Sequence, residues 1–155
     1  MIRPAQVSDT PGLVSLASSS GLFQEADEPA IRAMLDQYHS EKIHHAHQIL
    51  TFERAGAIVG MAYFAPKEFA DRVWELLMIA VDATHHRQGI GSELLLAVES
   101  HLRSQGGRLL LIETSSKSSF ERTREFYRKH GYANVAHIPD YFTDGDGKAS
   151  FLKRL

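Results

Sequence analysis

A glycine-containing turn separates an apolar segment from an amphipathic one over residues 81–95 (VDATHHRQGIGSELL). Gly89 and Gly91 allow an anion to approach the main chain closely, because no Cβ blocks the backbone there. Amide groups of the turn and of the first helical residues would converge on such an anion. The same spacing also occurs in turns that use glycine for conformation alone, so the pattern by itself leaves both interpretations open.

Two common phosphate-binding motifs do not fit this turn. A dinucleotide fingerprint requires a third glycine, and Leu94 stands at that position. A nucleoside-triphosphate loop requires a Lys-Ser or Lys-Thr pair directly after its last glycine, and no such pair follows Gly91. We therefore expect that an anion bound here is part of neither NAD nor ATP.

One carboxylate stands in an otherwise apolar segment. Residues 73–81 (VWELLMIAV) resemble a strand buried on both faces. Simple alternation places Glu75 on the face shared with Leu77, Ile79 and Val81, where a carboxylate is out of place unless it has a chemical role. The alternative is a strand-end carboxylate that reaches solvent or pairs with an arginine.

The elements that position these residues follow a clear order. We expect a strand at 1–6, helices from Asp9 or Thr10 to Ser19 and at 28–37, a hairpin of strands 47–53 and 57–65, a strand at 73–81, a helix at 92–104, a strand at 108–113, a helix from a capping box at Ser118–Glu121 to about 130, and strands 132–138 and 149–154 joined by a polar loop. This order predicts an α+β fold with a mixed central sheet of about six to seven strands and about four helices. One right-handed β-α-β unit is expected within it.

Composition limits the class of protein. The 155 residues suit one domain, 43% are hydrophobic, and a net charge of −2 predicts no nucleic-acid partner. No cysteine is present, which excludes disulfides and thiolate metal sites. The N-terminus lacks the apolar core of a signal peptide, and no apolar run reaches membrane-spanning length, so we expect a cytoplasmic protein without a membrane partner. The histidine-rich stretch 44–47 favours a solvated segment over a metal site.

The turn resembles the [Q/R]xxGx[G/A] signature of the general N-acetyltransferase (GNAT) superfamily, although His86 replaces its first Gln or Arg. In that family the loop holds the pyrophosphate of acetyl-coenzyme A through backbone amides. The resemblance implies that acetyl-coenzyme A is the cosubstrate and that no metal is needed. It implies cofactor contacts by Val81, His86, Arg87, Gln88, Gly89, Ile90, Gly91, Ser92, Ser116 and Phe120.

A second match covers residues 120–132 (FERTREFYRKHGY), which resemble the family's Phe-Tyr-x-x-x-Gly-[Phe/Tyr] pattern. The resemblance places Tyr127 beside the coenzyme A sulfur, where it can protonate the departing thiolate. A positioned O–H donor assists the expulsion of a thiolate. The alternative is that Tyr127 only packs, since Phe120, Thr123 and Tyr127 share a helical face.

The resemblance also implies a base and a main-chain site. An amine with a pKa near about 10.4 arrives protonated and must lose a proton. Glu75 occupies a position like that of the catalytic glutamate in the histone-acetylating branch; Glu113, or water with no single base, is the alternative. Main-chain groups of Leu77, Met78, Ile79 and Ala80 are expected to bind pantetheine and the thioester oxygen.

The expected activity is direct acetyl transfer to a primary amine of a small molecule or peptide. Asp140 and Tyr141, in a loop resembling an acceptor-side loop of GNAT-like sequences, are candidate substrate contacts, although the same loop also suits a plain turn. Residues 20–45 are expected to shape the acceptor site without a readable signature. Alternatives are a protein that binds acyl-coenzyme A as a sensor or partner module, or an enzyme for a longer acyl group. A homodimer is also compatible with the family.

Overall fold

The computed structural model describes residues 1–21, 23–40 and 47–155 of the chain. Most of the histidine-rich stretch, residues 44–46, and the end of the predicted acceptor-shaping stretch therefore lie outside the described residues. The described elements are β1 (Ile2–Pro4), α1 (Thr10–Ser19), α2 (Glu28–His39), β2 (Gln48–Arg54), β3 (Ala57–Pro66), β4 (Val73–Val81), α3 (Ile90–Ser104), β5 (Leu109–Ser115), α4 (Glu121–Lys129), β6 (Ala133–Thr143) and β7 (Asp146–Arg154).

The seven described strands form one mixed sheet in the order β1-β2-β3-β4-β5-β7-β6. All neighbouring strands are antiparallel except β4 and β5, which run parallel. A parallel pair needs a crossover connection, and α3 supplies it. With four α-helices in the described part of the chain, this architecture confirms the predicted fold class. No helix among the described residues is long and apolar enough to cross a membrane.

Helix α3 packs against one face of the sheet through a continuous apolar stripe. Leu95, Val98 and Leu102 of this stripe are fully buried there. The contact with β3 is close: a Cβ on Gly60 would lie 3.0 Å from Ile90 Cγ2 and 3.0 Å from Leu94 Cδ1. The opposite face of the sheet is covered by α1 and α2, whose buried residues include Leu13, Leu16 and Leu35 and pack with Ile49 and Met61.

The capping box predicted at the start of α4 is wrong. Ser118 does not cap α4, because Ser118–Phe120 forms a 3₁₀ turn and the α-helix begins at Glu121. The carboxylate of Glu121 does not close a capping box either; it accepts hydrogen bonds from Arg124 and, at 2.9 Å, from Arg128. Two guanidinium groups, which are charged donors, thus hold the carboxylate in place of the single uncharged main-chain N–H donor that a capping box would offer.

The polar stretch 140–148 is mostly strand rather than loop. β6 continues to Thr143 and β7 begins at Asp146, which leaves a tight turn at Asp144–Gly145. The strand pairing is irregular between Ile138 and Thr143, where Asp140 has a positive φ of 53° and accepts a hydrogen bond from the Gly145 amide at 2.7 Å. Because β6 is an edge strand, it tolerates this irregularity.

A buried carboxylate joins the elements around α4. Glu99 of α3 is 1% exposed and accepts hydrogen bonds from Tyr132 at 2.9 Å and from Lys153 at 2.8 and 2.9 Å. Arg103 donates to the same carboxylate at 3.0 Å. Lys153 also donates to the His130 carbonyl at the end of α4. This network fixes α3, β7 and the end of α4 relative to one another.

Replacing Glu99 by Gln should therefore destabilise the protein. The amide cannot satisfy two cations at once, and hydrogen bonds to charged groups contribute about 2 kcal/mol each. We expect the free energy of unfolding, measured by urea denaturation, to fall by about that amount. Glu125→Gln, at an exposed position of α4, should change it by less than about 0.5 kcal/mol. Equal effects of the two substitutions would contradict a stabilising role of the network.

Candidate active site

The parallel pairing of β4 with β5 ends long before the strands do. Paired residues run only from Val73↔Leu109 to Leu76↔Ile112, although the strands continue to Val81 and Ser115. A β-bulge occurs at this point, because Leu76 opposes Phe64 of β3 and the next paired residue is Met78. Bulges bend the strand that carries them. β4 therefore diverges from β5, and a groove of ≈ 1710 Å³ opens between the two strands.

The bulge changes which β4 side chains share a face. Ile79 and Val81 pack into the α3 side of the sheet with Leu76, whereas Met78 and Ala80 pack on the α1–α2 side. Simple alternation, which placed Glu75 with Ile79 and Val81, is therefore wrong beyond Leu77. Of the predicted pantetheine-binding residues, the groove is lined by Leu77, Met78 and Ile79, and the predicted cofactor contact Val81 also lines it. Ala80 is 1% exposed and is not part of this lining.

The loop between β4 and α3 forms one end of the groove. Gly89 is the N-cap of α3 with a positive φ of 85°, and its carbonyl accepts the hydrogen bond of the Glu93 amide at 3.0 Å. The amides of residues 89–92 thus precede the first intrahelical bond and are free to bind an anion. A Cβ on Gly89 would meet no atom within 4 Å, so the loop is open at this point. The predicted residues of this loop that line the groove are His86, Arg87, Gly89, Ile90, Gly91 and Ser92.

Side chains of the loop hold its backbone in place. The His86 ring donates to the Val81 carbonyl at 2.8 Å, which closes the loop onto the end of β4. Gln88, which was predicted to bind the cofactor, is not part of the groove lining. Its amide group accepts from Arg54 at 2.6 Å and donates to the Thr84 carbonyl at 3.2 Å.

Asp82 connects the loop to α1. Its carboxylate accepts hydrogen bonds from the Thr84 amide at 2.9 Å and from the Ser19 hydroxyl at 2.7 Å. Contacts with the Thr84 hydroxyl, Ser19 and His85 hold the pKa of Asp82 well below its usual range. Because Ser20 follows directly and lines the groove, this tether joins two walls of the groove.

Tyr127 lies on the α4 side of the groove. Its side chain is 4% exposed, lines the groove and packs with the rings of Phe126, Tyr132 and Phe151. Burial raises the pKa of its hydroxyl, so the group stays protonated. Among the described residues, that hydroxyl has no hydrogen-bond partner.

The segment that leads into α4 is also fixed. Arg124 donates to the carbonyl groups of Ser115 and Lys117, at 2.7 and 2.8 Å, and thereby anchors α4 to the end of β5. Phe120 lines the groove as predicted. Ser116 does not, and its amide instead donates to the Gly147 carbonyl at 2.8 Å.

The two candidate bases lie in different surroundings. Glu75 is not part of the groove lining; it faces a second pocket of ≈ 360 Å³ and pairs with Lys67 at 2.5 Å. Leu77, at the bulge, borders both cavities. Glu113 does line the groove, and one of its oxygens pairs with Lys148 at 2.9 Å.

The remaining walls come from both ends of the chain. Asp140 and Tyr141 are not among the lining residues; the neighbouring residues Phe142, Thr143 and Asp146 are. The segment that connects α1 to α2 and the start of α2 form the opposite wall. No sequence signature marks the residues of this wall, because an apolar helix face has the same pattern whether it meets a core or a cavity. These residues are Phe23, Gln24, Asp27, Ala30, Ile31 and Met34.

Comparisons with known proteins agree with this arrangement. A sequence model of the acetyltransferase (GNAT) family matches residues 13–132. The structure superposes on that of a protein from Desulfovibrio desulfuricans assigned to the GNAT family, with a TM-score of 0.93, 23% identity and coverage of 99% of this chain and 98% of that one. It also superposes on an aminoglycoside 6'-N-acetyltransferase complexed with coenzyme A, with a TM-score of 0.78, 16% identity and coverage of 99% and 96%.

Among curated sequences, an amino-acid acetyltransferase from Ectopseudomonas mendocina is 26% identical over 143 residues. The match covers 89% of this chain but only 29% of that relative. Likeness to the solved structures supports the fold alone at these identities, whereas the family model spans most of the chain. The sequence resemblance is thereby confirmed: this chain belongs to the acetyltransferase (GNAT) family.

Proposed function

We propose that this chain transfers an acetyl group from acetyl-coenzyme A to a primary amine. The observation that carries the proposal is the groove between β4 and β5, which has unpaired helical amides at one end and the buried Tyr127 hydroxyl on its wall. The family uses acetyl-coenzyme A, and the aminoglycoside enzyme with the same fold was crystallised with coenzyme A. The described residues fit this cosubstrate in shape and charge.

The β4–α3 loop is suited to the pyrophosphate. Amides of residues 89–92 point out of the helix N-terminus, where the helix dipole favours an anion. Arg87 of the loop and Arg122 of α4 line the groove, and their positive charges add attraction for phosphate. Main-chain groups of β4 beyond Leu76 have no partner in β5, so they can bind the amide groups of the pantetheine arm and the thioester oxygen.

Tyr127 is suited to the leaving group. The amine nitrogen forms a bond to the thioester carbonyl carbon, the carbon–sulfur bond then breaks, and the sulfur takes a proton. The raised pKa of Tyr127 keeps that proton on the hydroxyl until the thiolate forms. A protein that only bound acyl-coenzyme A would have no use for an unpaired hydroxyl that reaches the groove from a buried side chain, and this observation favours catalysis over a sensor.

Glu113 is better placed than Glu75 to receive the proton of the amine. It lines the groove, and Lys148 pairs with one of its oxygens while the other stays available. Glu75 is separated from the groove by Leu77, and its carboxylate forms an ion pair with Lys67. We infer that Glu113 accepts the proton, directly or through water.

The acceptor belongs to the amines of small molecules or peptides. The names of the relatives indicate amino acids for one protein and aminoglycosides for another. The groove of this chain extends beyond Glu113 to the α1–α2 wall, which leaves room for such an acceptor next to the reacting end.

Calorimetric titration with coenzyme A tests the loop directly. We expect coenzyme A to bind, and ATP and NAD to bind at least about tenfold more weakly. Gly89→Ala should weaken coenzyme A binding about tenfold, because a side chain at positive φ strains the loop by about 1–2 kcal/mol. Gly56→Ala is the matched control, since Gly56 has a φ of 78° and equally open surroundings but lies in the β2–β3 turn. Equal loss of binding in both variants would contradict the assignment.

Steady-state kinetics of Tyr127→Phe test the proton donor. We expect kcat to fall about 100-fold while the affinity for coenzyme A stays unchanged. Tyr132→Phe is the control, because Tyr132 is equally buried beside Tyr127 but donates to Glu99 rather than into the groove. It should lower stability and leave kcat within about twofold. An unchanged kcat in Tyr127→Phe would refute the acid role.

Removal of the tether between α1 and the loop should weaken coenzyme binding. Ser19→Ala deletes the hydrogen bond to Asp82, and we expect the dissociation constant of coenzyme A to rise about threefold. Ser18→Ala should leave it unchanged, because within the described ranges the Ser18 hydroxyl bonds the Val14 carbonyl of its own helix and no residue of the loop. If the two variants behave alike, the tether has no part in shaping the loop.

A further inference from the structure

Charged side chains that line the groove segregate by element. The cations belong to the β4–α3 loop and to α4, as described above. The carboxylates belong to the other walls: Asp27 precedes α2, Glu113 lies in the second half of β5 and Asp146 begins β7. Among the described lining residues, these walls contain no cationic side chain.

The rest of these walls is apolar. Aromatic and aliphatic side chains of α2, of the segment before it, of β4 and of β6 line these walls together with the carboxylates. They include Phe23, Ile31, Met34, Leu77, Met78 and Phe142. A ligand of this part of the groove therefore meets apolar surface and negative charge together.

The nearby lysines are already engaged. Lys148 pairs with Glu113, its side chain is 9% exposed, and its ammonium lies 4.0 Å from the centre of the Tyr141 ring. It is not part of the groove lining. Lys117 lies 3.7 Å from Asp146, which also accepts a hydrogen bond from the Ser115 hydroxyl. Neither lysine faces the groove with a free charge.

Asp27 differs from the other two carboxylates. Its Oδ2 accepts a hydrogen bond from the Gln24 amide at 2.8 Å, and no cation pairs with it among the described residues. Its charge is thus available to a ligand. The buried Tyr127 hydroxyl, which has no partner among the described residues, independently marks the same groove as a ligand site.

From this distribution we propose that the acceptor is a small cationic amine with an apolar body and with no carboxylate next to its nitrogen. The inference rests on the transfer reaction proposed above and specifies its substrate class. An ammonium group gains attraction from Glu113 and Asp27 before it loses its proton. A carboxylate on the same molecule would lie among acidic side chains whose neighbouring cations, Lys148 and Lys117, are already paired with Glu113 and Asp146. Like-charge contacts select against such a ligand. The groove therefore discriminates against α-amino acids.

Matched acceptors separate charge from size. Thiol release from acetyl-coenzyme A would be measured with 2-phenylethylamine, L-phenylalanine and L-phenylalaninamide, of which only L-phenylalanine carries a carboxylate. We expect kcat/KM for the amine and for the amide to exceed that for L-phenylalanine at least about tenfold. Equal or higher values for L-phenylalanine would overturn the inference.

Binding distinguishes a wrong acceptor class from a wrong reaction. If none of the three compounds leads to thiol release from acetyl-coenzyme A, their binding is measured by calorimetric titration into the protein saturated with coenzyme A. Selective binding of the uncarboxylated compounds would support the acceptor class and count against the transfer reaction. Equal binding, or binding of none of the three, would overturn the acceptor class.

A variant without the charge of Asp27 tests whether the wall next to α2 causes the preference for amines without a carboxylate. Asp27→Asn keeps an oxygen for the Gln24 amide and removes the charge, so KM for 2-phenylethylamine should rise about fivefold with an unchanged KM for acetyl-coenzyme A. The ratio of kcat/KM for 2-phenylethylamine to kcat/KM for L-phenylalanine should fall by a similar factor. Asp36→Asn, on the exposed side of α2, should change neither value. An unchanged preference in Asp27→Asn would overturn the role of this wall.

Discussion

The short pairing between β4 and β5 is the constraint on which the site depends. Only four residue pairs join the two strands, from Val73↔Leu109 to Leu76↔Ile112. Beyond them, the backbone groups that face the gap must be satisfied by something other than a strand. A linear chain of amide groups can bind there as a further strand would. The bulge at Leu77 is therefore the feature that converts an ordinary sheet into a groove.

The position of the anion-binding loop follows from the same pair. Parallel strands require a crossover, so α3 has to begin at the carboxyl end of β4, at the edge where the gap opens. Ligands of sheets with parallel strands commonly bind at this edge. The parallel pair thus brings the free amides of α3 to the same edge as the unpaired parts of β4 and the end of β5. No additional sequence motif is needed to place them together.

Local signals explain why much of this edge could be predicted from the sequence. Short stretches of sequence are enough to predict the turn at Gly89, the apolar stripe of α3 and the apolar strand β4. The bulge is different, because it is defined by residues of β4 relative to β3, and no pattern within one strand reveals it. For that reason the alternation pattern placed Glu75 on the wrong face relative to Ile79 and Val81. Strand pairing is also invisible in composition, and the polar residues 140–148 therefore predicted a loop where β6 and β7 continue as paired strands.

The acceptor side could not be predicted for a related reason. Its charge comes from Asp27, Glu113 and Asp146, three residues on elements that are remote in sequence and that meet only in the folded sheet. Glu113 is paired in turn with Lys148, which the register between β5 and β7 brings alongside. A short motif can encode a cosubstrate that all members of a family share. An acceptor that differs among members is recognised where separate elements meet, and only the folded arrangement shows which charges face it.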